Sequence, residues 1–332
     1  MSYMNTRTNF QVKGLLANQH VQSMLASSKL RKRLKSKNHA ELIKRQSEYL
    51  LDAGNGIRLH CYYSKNISEH FPQNKNKLVI LIHGWEGSSE STYLLSAASS
   101  LYNAGFSVLR LHLRDHGPSS HLNKELFHAA RLDEVLHALQ DIQVRFQYEK
   151  NYLVGFSLGG NFALRVRQEA NNYALKINHI VAISPVFSPS ETMEALEKGS
   201  LIYRKYFLKK WKRALRNKAN SFPGQYDFSD LLESNSLSHM TEILISAHTP
   251  FNTVKDYFNS YTLTPDAIEQ ATIQTDVILA ADDPVIPITG THDFSSSDTF
   301  RLRIFNKGGH CGFIQNWRFE SWVDKELLSL FS

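Results

Sequence analysis

The segment Gly155-Phe156-Ser157-Leu158-Gly159 sets a serine between glycines. An apolar run, Tyr152 to Phe156, precedes it and helical spacing follows from Leu158, so the serine falls on a strand-to-helix turn. A serine there has strained backbone angles, small neighbours avoid collision with adjacent strands, and the hydroxyl stands exposed beside a helix N-terminus. Ser157 is the candidate nucleophile. An alcohol is a weak nucleophile at neutral pH and needs a base. Of fifteen histidines, His310 has the fitting address, in the glycine-rich loop Gly308-Gly309-His310-Cys311-Gly312-Phe313 after the last expected strand. The imidazole in turn needs a carboxylate to fix its tautomer and to balance the imidazolium formed during attack. Asp282 and Asp283 both end the strand Val277 to Ala281; one would serve the histidine and the other cap the turn. The developing oxyanion needs prearranged donors. The N–H of Leu158, next to the nucleophile, is one, and the N–H of Trp85 in His83-Gly84-Trp85-Glu86-Gly87 is the other candidate.

Two other chemistries are set aside on spacing. His112, Arg114, Asp115 and His116, with His121, resemble a metal cluster only in composition, since they follow a strand in a Gly/Pro turn and lack a helical His-Glu-x-x-His arrangement. No metal and no organic cofactor is expected. Cys311 adjoins its own would-be base and lies outside any strand-to-helix turn, so it reads as a small semi-buried side chain.

The elements that must position these residues alternate. Glu48–Leu51 and Ile57–Tyr63 read as a hairpin through Gly54-Asn55-Gly56, and Leu78–Ile82 as a strand buried on both faces. A helix over 92–104 follows, with Ser91 as N-cap and Gly105 as stop. Then come a strand over 106–111, a helix through Leu132, Val135, Leu136, Leu139 and Ile142, and strands over 152–156 and 177–183 around the helix opening at Leu158. This order predicts an α/β fold, a mostly parallel sheet with helices on both faces and ligand loops at the carboxyl ends of the strands. The alternation breaks over about 185–274, read as a helical insertion, and resumes with strands at 276–280 and 301–305 and a helix over 317–331. The expected domains are a basic helical arm, 1–47, and one domain, 48–332, that carries the insertion.

Net charge is +7 and uneven. Lys29, Arg31, Lys32, Arg33, Lys35 and Lys37 form one basic block, and Arg204, Lys205, Lys209, Lys210, Lys212, Arg213 and Arg216 another. Both read first as solvated helix faces. In the second block Leu201, Leu208, Trp211 and Leu215 make a stripe opposite the cations, a basic amphipathic helix suited to covering an apolar pocket or lying on an anionic membrane. No nucleic-acid-binding motif accompanies either block. Two cysteines are too few for a disulfide framework. No apolar run approaches the roughly 20 residues of a membrane span, and 1–10 lacks the apolar core of a secretory signal. Cytoplasmic residence, with peripheral membrane contact as an option, is the expectation.

Taken together, Asn18-Gln19-His20-Val21-Gln22, the His83–Ser88 loop, Gly155–Asn161, Asp282-Asp283-Pro284 and Gly308–Phe313 resemble the YheT-like branch of the α/β-hydrolases. That branch is related to abhydrolase-domain proteins of the monoacylglycerol lipase and phospholipase type. The resemblance spans roughly 10–330. It implies an α/β-hydrolase sheet with a helical lid, carboxylic-ester hydrolysis without a cofactor, and a triad of Ser157, Asp283 and His310, with Asp283 favoured as the acid. The order serine, aspartate, histidine also differs from chymotrypsin and subtilisin. The oxyanion loop departs from the His-Gly-Gly-Gly of many lipases. The expected function is a serine esterase or lipase acting through an acyl-enzyme on short-chain or lipid esters. An acyltransferase using the same intermediate, and a non-catalytic lipid- or partner-binding protein, are the alternatives.

Overall fold

The computed structural model describes residues 10–269 and 271–332. Eight strands form one sheet in the order β1-β2-β4-β3-β5-β6-β7-β8. β1 (Gln46–Asp52) and β2 (Arg58–Ser64) make the hairpin, with Gly54, Asn55 and Gly56 all at positive φ. β2 pairs antiparallel with β4 (Ser107–Leu111). From there the sheet is parallel through β3 (Lys77–Ile82), β5 (Lys150–Phe156), β6 (His179–Ile183), β7 (Gln274–Ala280) and β8 (Phe300–Phe305). β3, β4 and β6 are buried along their whole length; this is why β3 and β6 read as apolar runs and not as alternation, while β4 also buries Ser107 and Arg110.

Helices cover both faces. α1 (Gln19–Ser27), α2 (Lys29–Leu34) and α3 (Ser36–Lys44) pack on α4 (Thr92–Asn103), which also meets the C-terminal helix. α5 (Leu132–Phe146) and α6 (Leu158–Glu169) close the other face. The first basic block is part of this packing: Arg31 is buried, donating to the Phe319 carbonyl and to Ser96 Oγ, and Lys32 pairs with Glu90. Ser91 occupies the N-cap position of α4, but its Oγ accepts from Ser88 N–H and not from the helix.

Between β6 and β7 lie α7 (Pro189–Lys198), α8 (Leu201–Ser221), α9 (Ser229–Glu233), α10 (Leu237–His248), α11 (Val254–Asn259) and α12 (Pro265–Glu269). Leu208, Trp211 and Leu215 of α8 face inward on Leu237, Met240 and Val285. Leu201 is a correction to the expected stripe: it is 55% exposed on the first turn, and buried Tyr203 takes the inward position. The closing helix also differs, since α13 runs Trp322–Phe331 only. Ile314 and Ser321 make an isolated antiparallel bridge, which holds 317–321 outside the helix. No helix among the described residues is long and apolar enough to cross a membrane.

Candidate active site

Ser157 follows β5 at φ 54° and ψ −120°, off the ordinary minima for an L residue. The close approach of strand and helix is what demands the flanking glycines: a Cβ on Gly155 would strike the Gly159 carbonyl, and one on Gly159 would strike the carbonyls of Ile82 and His83. The turn lifts Ser157 Oγ to 3.0 Å from His310 Nε2. His310 Nδ1 lies 2.8 Å from Asp283 Oδ2, so the ring donates to the carboxylate and leaves Nε2 to accept the serine proton. Asp283 Oδ1 accepts from the N–H groups of Val285 and Ile286 at 2.8 and 3.0 Å. Burial opposes charge on His310, but Asp283 outweighs it and raises the affinity of the ring for a proton well above that of a free imidazole.

The structure thus brings Ser157, His310 and Asp283 together and separates the two aspartates. Asp282 does not reach the imidazole; its Oδ1 accepts from Gly309 N–H at 2.9 Å and steadies the histidine loop. Trp85 and Leu158 both line the cavity beside Ser157. Their N–H groups donate to no other described residue, while the neighbouring Gly84 N–H is taken by Tyr93 Oη at 3.0 Å.

The cavity has a volume of about 120 Å³ and is largely apolar, walled by Phe207, Trp211, Leu244, Tyr257, Phe258 and Val285. The Trp85 ring stacks on Phe207 with centroids 5.2 Å apart and meets Trp211 edge-on at 5.1 Å. Lys210 Nζ donates to the Glu86 carbonyl at 2.8 Å, so α8 is fastened to the Trp85 loop. Burial pushes the Glu86 carboxyl up to about 8 against the pull of Lys210 and Arg213.

Sequence reasoning passed over the residues that brace this geometry. Gln22, fully buried, donates Nε2 to the carbonyls of Leu16 and Ile314 and accepts Ile314 N–H on Oε1. Ser23 Oγ accepts His310 N–H at 2.8 Å. Gln22 lay inside a recognised motif, yet nothing local announced a partner 292 positions away.

Comparisons with known proteins agree with this architecture. A family model described as alpha/beta hydrolase fold matches residues 77–316. The candidate esterase YheT of Escherichia coli is 24% identical over 80% of this chain and 77% of its own. A monoacylglycerol lipase of Saccharomyces cerevisiae is 21% identical over 82% of this chain and 63% of its own. Among solved structures, the serine hydrolase CCSP0084 from a polyaromatic-hydrocarbon-degrading Cycloclasticus superposes with a TM-score of 0.56 at 17% identity, covering 86% of this chain and 97% of the other.

Proposed function

The chain belongs to the α/β-hydrolase fold family, with a likeness to YheT, and from that premise we propose that it is a serine-dependent carboxylic-ester hydrolase acting on short-chain or lipid esters. The observation that carries the reading is the unbroken hydrogen-bonded series Ser157–His310–Asp283 opening on an apolar cavity. Ser157 Oγ attacks the ester carbonyl carbon as its proton passes to His310 Nε2. The oxyanion takes hydrogen bonds from the N–H groups of Leu158 and Trp85. Collapse breaks the bond to the alcohol, which leaves with the proton from His310. Water then attacks the acyl-enzyme with His310 again as base, releasing the acid and restoring Ser157.

The relatives named as esterase and lipase support an ester substrate, and the apolar wall favours an acyl chain over a polar one. The helical insertion serves as the lid, with α8 over the site. Its outward face carries exposed Leu201, Ile202 and Tyr206 beside Lys205, Lys209, Arg213 and Arg216, which favours contact with an anionic lipid surface. Two buried free thiols suit a reducing, cytoplasmic setting.

The test is hydrolysis of nitrophenyl esters of graded chain length by wild type and Ser157→Ala, with phosphatidylglycerol or phosphatidylcholine vesicles added. Saturable turnover, about 10⁴-fold or more lower in the variant, is expected, with salt-sensitive co-sedimentation on the anionic vesicles alone. Ester products formed from an added alcohol would move the reading to acyl transfer. No turnover and no labelling of Ser157 by a fluorophosphonate would reduce the protein to a binder.

A further inference from the structure

Four imidazoles stand in a row behind the loop that carries Trp85. Ring centroids step 4.9 Å from His60 to His112, 5.7 Å from His112 to His83 and 4.8 Å from His83 to His116. All four are buried, and the ester chemistry uses none of them directly.

Their partners fix one set of tautomers. His112 Nε2 accepts Ser89 N–H at 2.9 Å, so a neutral ring carries its proton on Nδ1, which lies 2.8 Å from His60 Nδ1. His60 then accepts on Nδ1 and donates from Nε2 to the Glu48 carboxylate at 2.7 Å. His116 Nε2 accepts Glu86 N–H at 3.1 Å while its Nδ1–H donates to the Arg114 carbonyl at 2.7 Å. His83 Nε2 accepts Leu113 N–H at 3.3 Å while its Nδ1–H donates to the Gly84 carbonyl at 2.8 Å. This assignment satisfies every contact only when all four rings are neutral. Burial keeps them so, pulling His116 down to about 4 and His60, His83 and His112 below the ordinary imidazole value.

The row bears on a single N–H group. The Gly84 carbonyl and the Trp85 N–H share one peptide plane and, in a trans peptide, point in opposite directions. His83 Nδ1–H and Gly87 N–H, the latter at 2.9 Å, hold that carbonyl from one side. His116 holds the next N–H, that of Glu86, whose φ of 54° gives the loop its turn. His112 holds the far end at Ser89, and Gly117 at φ 62° leaves room for the His112 ring, which a Cβ there would strike. The Trp85 N–H alone is left without a protein acceptor among these tied groups.

We propose that His112 and His116 are positioning residues that, with His83, aim the Trp85 N–H at the reacting carbonyl oxygen. This rests on the ester-hydrolase reading, in which that N–H is an oxyanion donor.

Two measurements test it. Nitrogen NMR of the wild type should find His83, His112 and His116 neutral at pH 7 with the proton on Nδ1; Nε2–H on His112 or His116 would overturn the proposal without any substitution. His116→Ala should lower kcat by about 10²-fold, the cost of losing one oxyanion donor, with KM changed less than about twofold. A trifluoromethyl ketone, whose adduct carries the oxyanion, should bind more weakly by a similar factor while affinity for the product acid stays unchanged. His116→Gln, which keeps an acceptor for Glu86 N–H, should recover most of the rate. Unchanged turnover in a folded His116→Ala, or equal slowing by alanine and glutamine, overturns the assignment. A wild type with these tautomers but neither turnover nor phosphonylation overturns the hydrolase reading itself, and with it this role for the loop.

Discussion

At residue scale, Asp282 and Asp283 differ by direction and not by chemistry. Asp283 gives one oxygen to His310 and the other to two backbone N–H groups, which fixes the plane of its carboxylate. Asp283→Asn puts an amide where an acceptor is needed and should lower kcat by about 10⁴-fold through the wrong imidazole tautomer. Asp282→Asn keeps an oxygen for Gly309 N–H and should cost about tenfold at most. Comparable losses in the two variants would sink the assignment of the acid. The strand-to-helix turn at Ser157 was legible because glycines, strand and helix all act within a few residues of it. Which aspartate meets His310 was left open by the residues and favoured as Asp283 only by the resemblance, because both follow one strand and the turn after it decides which faces the ring.

Elements supply what no single residue can. The loop 308–313 holds Gly308, Gly309, Cys311 and Phe313 at positive φ, and two of these are not glycine, a conformation that persists only when its surroundings impose it. α1 does so from one side through Gln22 and Ser23, and Asp282 from the other. Gln22→Ala strands the N–H and carbonyl of Ile314 and the carbonyl of Leu16 and should cost at least about 3 kcal/mol of stability, at 1–3 kcal/mol for each buried group left unpaired. The same change should slow phosphonylation of Ser157, since His310 rides on that loop. Urea unfolding and fluorophosphonate labelling check the two effects; a stable variant that labels at the wild-type rate removes α1 from the site. The helices were readable from periodicity, because each buries one face, and β3 from an unbroken apolar run, because it buries both. α1 was not readable as a brace, because its partner lies at the other end of the chain. α8 was readable as a helix but misaligned at Leu201, whose spacing fits the stripe although the body ends before it.

For the whole molecule, the buried histidines set an acid limit on the fold. His39 bonds Ser99 Oγ between α3 and α4, His116 holds the Trp85 loop, and His128 packs on Phe251 and Tyr257 of the insertion. Burial, the largest cause in each, lowers them from 6.5 to about 4, about 4 and about 3. A histidine depressed in the fold binds its proton in the unfolded chain first, so stability is lost as pH falls from 6.5 towards 4. Each contributes about 2 kcal/mol of loss by pH 5, on unfolded titration at 6.5. Glu86 acts the other way: raised to about 8, it keeps its proton in the fold and returns about 2 kcal/mol over the same interval. His310, raised by Asp283, is protonated in both states below 6.5 and adds no slope there. Across these four groups the loss is about 4 kcal/mol, a large share of the 5–15 kcal/mol typical of a folded domain. Thermal melts should therefore fall by about 5–10 °C between pH 6.5 and pH 5. His128→Phe, which keeps a ring among the same aromatics without a titrating nitrogen, should remove about 2 kcal/mol of that dependence. A melting temperature that holds level across this interval would mean that these rings are solvated, and the tie between the buried imidazoles and the fold would be lost.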